Sequence, residues 1–151
     1  MLKQGNSYLW RLGPLFPLTK TDYKFFEKAK QAASVLDYRN IHAGCVAVYQ
    51  GKIIGIGCNM DKTHPTQKYY NRFRSIIGNS ANCTPKLHAE IACLNAIQHS
   101  DVRFARVKLY VYRVCSNREH GMARPCAACM AAIRDLGIRD VYYTTDDGFS
   151  Y

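Results

Sequence analysis

Two rhythms of apolar and polar positions run along this chain. Phe25, Phe26, Ala29, Ala32, Ala33 and Leu36 recur at helical spacing. With Thr21 or Asp22 as cap, they predict a helix running to about residue 37. Residues 45–49 are apolar and β-prone, Gln50-Gly51 suits a tight turn, and residues 52–59 return through Ile53, Ile54 and Ile56. That pattern predicts a β-hairpin. Residues 60–87 have weak periodicity and many polar, basic and aromatic side chains. The stretch is long for a structureless loop, so it is expected to be functional or partly helical. Residues 88–99 read as a helix through Ile91, Leu94, Ala96 and Ile97, and residues 107–114 as a strand rich in valine and tyrosine. Residues 126–136 form an alanine-rich helix closed by Gly137, and residues 140–145 a last strand.

The predicted order is α-β-β-insert-α-β-α-β. It implies an α/β fold, with helices covering a mixed sheet. The segment 107–145 should form a right-handed parallel crossover. A chain of 151 residues fits one domain, 1–151, with an irregular lead-in over 1–20 and an insert over 60–87. No apolar run approaches the ~20 residues of a membrane span, and 9–18 is broken by Arg11, Gly13, Pro14 and Pro17 rather than reading as a signal. The expectation is a soluble, cytoplasmic protein. Seven cysteines, odd in number and irregular in spacing, read as buried thiols plus metal ligands rather than a disulfide framework. The formal net charge of +10 points to a nucleic-acid or nucleotide partner rather than to a fold.

Two motifs carry chemistry. His88-Ala89-Glu90 and Pro125-Cys126-Ala127-Ala128-Cys129 each open a predicted helix. A catalytic zinc takes three protein ligands in a tetrahedron and keeps one position for water. His88, Cys126 and Cys129 make such a set. A helix start favours thiolate over thiol, and Pro125 fits just ahead of it. Residues two apart on a helix do not share a face, so Glu90 reads as a proton shuttle rather than a fourth ligand. Bound zinc lowers the pKa of its water to roughly 7, and a carboxylate beside it could move that proton to a ring nitrogen and then to departing ammonia. The competing reading is a structural zinc with His120 or Cys115 as fourth ligand.

His-x-Glu followed by Pro-Cys-x-x-Cys is the signature of zinc nucleobase deaminases. The chain thereby resembles the cytidine/deoxycytidylate deaminase superfamily, which includes tRNA adenosine deaminases and polynucleotide cytosine deaminases, over about residues 21–145. The resemblance implies a three-layer α-β-α sandwich with a mixed central sheet, one catalytic Zn2+, and hydrolytic conversion of cytosine to uracil in single-stranded nucleic acid or at nucleotide level. It also implies base contacts from Asn59 and from the backbone N–H groups of Ala89 and Cys126. Gly44 would admit a base closely, or simply pack in its strand.

Phosphate or nucleic-acid contacts are expected from Lys68, Tyr70, Arg72 and Arg74 in the insert and from Arg118, His120 and Arg124 ahead of Cys126, since basic residues among aromatics grip phosphates and stack bases. Three alternatives stay open: a free-nucleotide deoxycytidylate deaminase, an adenosine deaminase acting on tRNA, and a catalytically inactive nucleic-acid-binding module. Met130-Ala131-Ala132 departs from the tRNA enzymes, which place small residues including glycine there. His64 and Cys83 are candidates for a second, structural zinc. The family's usual C-terminal helix is not seen, which suggests a truncated chain, and the resemblance makes a homo-oligomer plausible.

Overall fold

A computed structural model describes residues 18–33, 42–76 and 86–151. Its elements are α1 (Lys20–Ala33), β1 (His42–Tyr49), β2 (Lys52–Cys58), α2 (Pro65–Ile76), α3 (Ala89–Ile97), β3 (Lys108–Val114), α4 (Ala127–Leu136), β4 (Asp140–Thr144) and β5 (Phe149–Ser150). The strands form one sheet in the order β2-β1-β3-β4-β5. β1 is antiparallel to β2 and β3, β3 is parallel to β4, and β4 is antiparallel to β5. The sheet is therefore mixed, as expected. β5 was not anticipated, because two residues are too few to show a period.

Side-chain alternation divides the core into two layers. On one face Val46, Val48, Tyr110, Tyr112 and Tyr142 pack against Phe25, Phe26 and Ala29 of α1. On the other, Cys45, Ala47, Leu109, Val111 and Val141 meet Ile91, Leu94 and Ile97 of α3 and Ala132 and Ile133 of α4. This is the three-layer α-β-α sandwich. The helices carrying the two motifs share the second layer.

Local chemistry sets the boundaries. The cap of α1 is Thr19, two or three residues earlier than the predicted Thr21 or Asp22. The Thr19 hydroxyl accepts the Asp22 N–H (3.1 Å), and the Asp22 carboxylate accepts the Thr19 N–H (3.0 Å), a reciprocal capping box. Asp22 also accepts the buried Tyr110 hydroxyl at 2.6 Å. Burial, then this bond, push the Tyr110 phenol well above its ordinary pKa. The predicted end of α1 near residue 37 lies outside the described residues. Gln50 and Gly51 both adopt positive φ (52° and 78°), matching the primed turn that a two-residue hairpin favours. Ile54 forms a bulge, since Ala47 pairs with Gly55 and Val48 with Ile53. Gly137 (φ 99°) closes α4, and the Ile138 N–H reaches the Ile133 carbonyl.

Gly44 is where α1 touches the sheet. A Cβ there would stand 2.0 Å from the Ala29 carbonyl oxygen and 2.7 Å from the Ala33 nitrogen. Of the two readings of Gly44, this contact supports strand–helix packing. Gly44→Ala should cost about 2–3 kcal/mol, because backbone rather than a flexible side chain must yield. Urea denaturation checks this; a midpoint equal to that of the wild type contradicts it.

Candidate metal centre and active site

The site is built from two helix starts. His88 is the extended residue that caps α3 (φ −87°, ψ 156°), and Cys126 has the same place on α4 (φ −69°, ψ 172°). The carbonyls of His88 and Cys126 accept the first helical bonds, from Ala92 (3.0 Å) and Met130 (2.9 Å). The side chains are thereby left to turn toward each other. Cys129 lies one turn into α4, so the Cys-x-x-Cys spacing returns its sulfur to the helix mouth.

The ligand atoms of His88, Cys126 and Cys129 all lie within 4.8 Å of one another, the one such group among the described residues. His88 Nδ1 stands 3.7 Å from the Cys126 sulfur and 3.4 Å from the Cys129 sulfur. Zinc bonds of about 2.3 Å to sulfur and about 2.05 Å to nitrogen give a tetrahedral N–S edge of about 3.6 Å. The donor set and its spacing therefore fit one zinc ion. Neither His120 nor Cys115 joins the group, so the four-ligand structural site is not formed among the described residues.

The electrostatics are those of a thiolate site. The Cys126 thiol is brought down to about 3, first by its hydrogen bond with Cys129 and then by His88, against the opposing effect of burial. Cys129 is held well above its ordinary value by the same bond and by burial. The bond to Cys126 raises His88, while burial and the Arg74 charge oppose the rise. Glu90 is buried (7% exposed) on α3 and does not belong to the ligand group. Burial raises its carboxyl above the usual range, with His88 opposing.

Other elements hold this mouth in place. Gly57 on β2 lets α3 lie directly on the sheet, since a Cβ there would meet the Ala89 carbonyl oxygen and the Cys93 nitrogen at 2.4 Å. Gly57→Ala should therefore loosen α3 and lower zinc content together with stability. Metal analysis beside thermal melting checks this, and full zinc content with unchanged melting contradicts it. Asn59 is buried beside the start of β1, and its side-chain oxygen accepts the Ala43 N–H at 2.9 Å. Part of its side chain thus anchors the strand. Gln67 is fully buried on α2, and its side-chain oxygen accepts the His88 N–H at 3.0 Å. Its amide nitrogen donates to Asn71 at 2.9 Å. Sequence reading missed Gln67, Asn71 and Gly57. The only signals were an amide pair at i, i+4 and glycines at alternate strand positions.

Several expected phosphate contacts are engaged elsewhere. The Tyr70 hydroxyl donates to Asp135 of α4 at 2.9 Å, and burial followed by this bond pushes its pKa up to about 12. Tyr70 therefore ties α2 to α4. His120 is buried, its Nδ1 2.6 Å from the Thr145 carbonyl and its ring against Tyr112 and Phe149. It is a packing residue. Arg118 pairs with Asp146 at 3.6 Å on the surface. The basic run is stitched to the sheet: Gly121 N–H bonds Arg113, Ala123 N–H bonds Thr144, and the Thr144 hydroxyl donates to Gly121. Lys68 and Arg124 are exposed. The Arg72 guanidinium lies 4.1 Å over the Tyr69 ring and donates to its hydroxyl at 2.6 Å. Arg74 is half-buried, and among the described residues its buried Nε has no hydrogen-bond partner. His64 Nδ1 accepts the Thr66 N–H at 3.2 Å, and Cys83, its suggested partner in a second zinc site, lies outside the described residues.

Residues 19–145 match the model of the cytidine and deoxycytidylate deaminase zinc-binding region. A comparison with curated proteins gives no match. Among solved structures, dCMP deaminase from the cyanophage S-TIM5 in apo form is similar at a TM-score of 0.57 and 21% identity, over 85% of this chain and 86% of that one. The same enzyme in complex with dCMP and dUMP gives 0.57 and 21%, over 86% and 85%. Cytidine deaminase from Burkholderia pseudomallei gives 0.53 and 22%, over 83% of each chain. These structures share the fold. Among the described residues no helix is long and apolar enough to cross a membrane.

Proposed function

Because the chain belongs to the cytidine and deoxycytidylate deaminase family, we propose that it is a zinc-dependent enzyme converting a phosphate-bearing cytosine base to uracil by hydrolysis, with free nucleotide favoured over single-stranded nucleic acid. The observation that carries this reading is the convergence of His88, Cys126 and Cys129 on one point, with the buried carboxyl of Glu90 on the same helix as His88. Zinc in this triad would supply a water acidified to near neutral pH, the nucleophile for the ring carbon bearing the amino group.

Glu90 handles the protons. It takes one from the attacking water and passes it to the adjacent ring nitrogen. It then takes the second from the new hydroxyl and passes it to the amino group, which leaves as ammonia. Cytosine plus water thus becomes uracil plus ammonia. A carboxyl raised by burial suits a group that must accept and return a proton near neutral pH. Ala89 and Cys126 lie at the helix starts, where backbone N–H groups lack intrahelical acceptors and are suited to hydrogen-bonding a base. Asn59 is a further base contact through its side-chain amide.

The carrier is argued from Arg74. Its charge acts on His88, and among the described residues its buried Nε has no partner. A substrate phosphate would pair with this half-buried guanidinium by a charge-assisted bond. The diversion of Tyr70, His120 and Arg118 into internal contacts removes much of the extended grip a polynucleotide would use. The exposed Arg72–Tyr69 stack with Lys68, and the net charge of +10, support the polynucleotide alternative. Free thiols at Cys45, Cys58, Cys93 and Cys115 support a reducing compartment, and we place the enzyme in the cytoplasm.

The test is turnover on cytidine, deoxycytidylate, a single-stranded DNA oligonucleotide and tRNA. Deoxycytidylate should be the best substrate. Arg74→Met should raise its KM about tenfold or more, and leave cytidine unchanged. An equal loss on both substrates would remove the phosphate role of Arg74. Turnover confined to the oligonucleotide would replace the nucleotide reading.

A further inference from the structure

We infer that α2 is part of the metal site, with Gln67 as the positioning residue that couples docking of this helix to zinc affinity. The inference rests on the reading of His88, Cys126 and Cys129 as a zinc site. Gln67 is fully buried, and its side chain is held at both ends. The geometry leaves it one orientation. The His88 N–H can only donate, so the Gln67 atom facing it must be the oxygen. The amide nitrogen then faces Asn71, whose side-chain oxygen must accept.

His88 opens α3, where a backbone N–H has no helical partner of its own. Gln67 is that partner. The bond fixes the backbone from which the imidazole presents Nδ1 to the two sulfurs. A shift of a few tenths of an ångström here would move Nδ1 relative to both.

The same helix reaches the other ligand-bearing element. Three residues after Gln67, Tyr70 donates to Asp135 of α4. α2 thus touches α3 through Gln67 and α4 through Tyr70. It bridges the two helices whose starts must meet for a metal to bind. If α2 steadies that meeting, zinc must steady α2 in return, by reciprocity of coupled equilibria.

Two measurements test this. The first is zinc affinity, by competition with a chromophoric chelator, in the wild type and in Gln67→Met, which keeps length and burial but has no hydrogen bonds to offer. Loss of an outer partner of a metal ligand typically lowers affinity tenfold to about a hundredfold. A side chain that only packs would lower stability and leave the affinity of the folded protein unchanged. Tyr70→Phe, which cuts only the bond to α4, should weaken zinc by less than Gln67→Met. The second measurement needs no variant. Amide exchange in α2 of the wild type should slow when zinc is added to the metal-free protein, which keeps the test open if Gln67→Met fails to fold.

Equal zinc affinity in folded Gln67→Met, or α2 exchange indifferent to zinc, overturns the coupling while the zinc site stands. A wild type that binds no zinc overturns the site reading and the coupling with it.

Discussion

Glu90→Gln should yield a protein that retains its zinc and has lost turnover. Glutamine matches glutamate in shape but cannot accept a proton. Glu90 lies outside the ligand group, so the His88–Cys126–Cys129 donor set is untouched. A single general acid–base group typically contributes 10²–10⁴-fold, and Glu90 is assigned both proton transfers. A fall in kcat of about 10³-fold or more is therefore expected, with little change in KM. The variant also removes a buried ionisable group raised by its surroundings, so stability should hold or improve. Steady-state kinetics beside metal analysis of the same sample decides the matter. Retained turnover removes Glu90 from the chemistry, and lost zinc makes it a ligand.

Cys129→Ser should release the metal and, with it, the stability that the metal confers. The change removes one of the two sulfurs that face His88. It also removes the chief partner that holds the Cys126 pKa down to about 3, so the remaining thiol becomes a poorer ligand. Zinc present at a thousand times its Kd stabilises a folded protein by about 4 kcal/mol. A strong chelator should accordingly lower the melting temperature of the wild type by many degrees and leave Cys129→Ser unmoved. Equal responses of the two proteins would show that the triad is not where the metal sits.

How much of this was legible beforehand depended on how local each signal was. His88 and Cys126 could be read because motif, helix start and ligand spacing coincide within a few residues. The layer arrangement followed from the spacing of Phe25, Phe26 and Ala29 and from the alternation in β1 and β3. α2 was harder. Its interior-facing positions include Gln67 and Asn71, which are polar, so apolar periodicity fades although the helix is well formed. Its contact with the His88 backbone gives Gln67 a reason to be buried, and that contact spans 21 residues of sequence.

The basic run misled for a related cause. His120 lies among Arg118, Glu119 and Arg124, so it reads as surface. The Thr145 carbonyl that takes its Nδ1 is 25 residues away and invisible in the local pattern. Tyr70 likewise bonds Asp135, 65 residues on, a partner invisible in the local pattern. Gly44 shows a limit of another kind. A strand glycine can mean room for a ligand or room for a helix, and the approach of the α1 backbone that supports the second is not written in the local sequence.

Turnover of deoxycytidylate by the zinc-loaded protein in heavy-oxygen water is the most direct single measurement. The account predicts a deoxyuridylate product carrying one heavy oxygen, formed with one equivalent of ammonia. A protein that holds one zinc at His88, Cys126 and Cys129 and yields no uracil product from deoxycytidylate, cytidine or single-stranded DNA contradicts it.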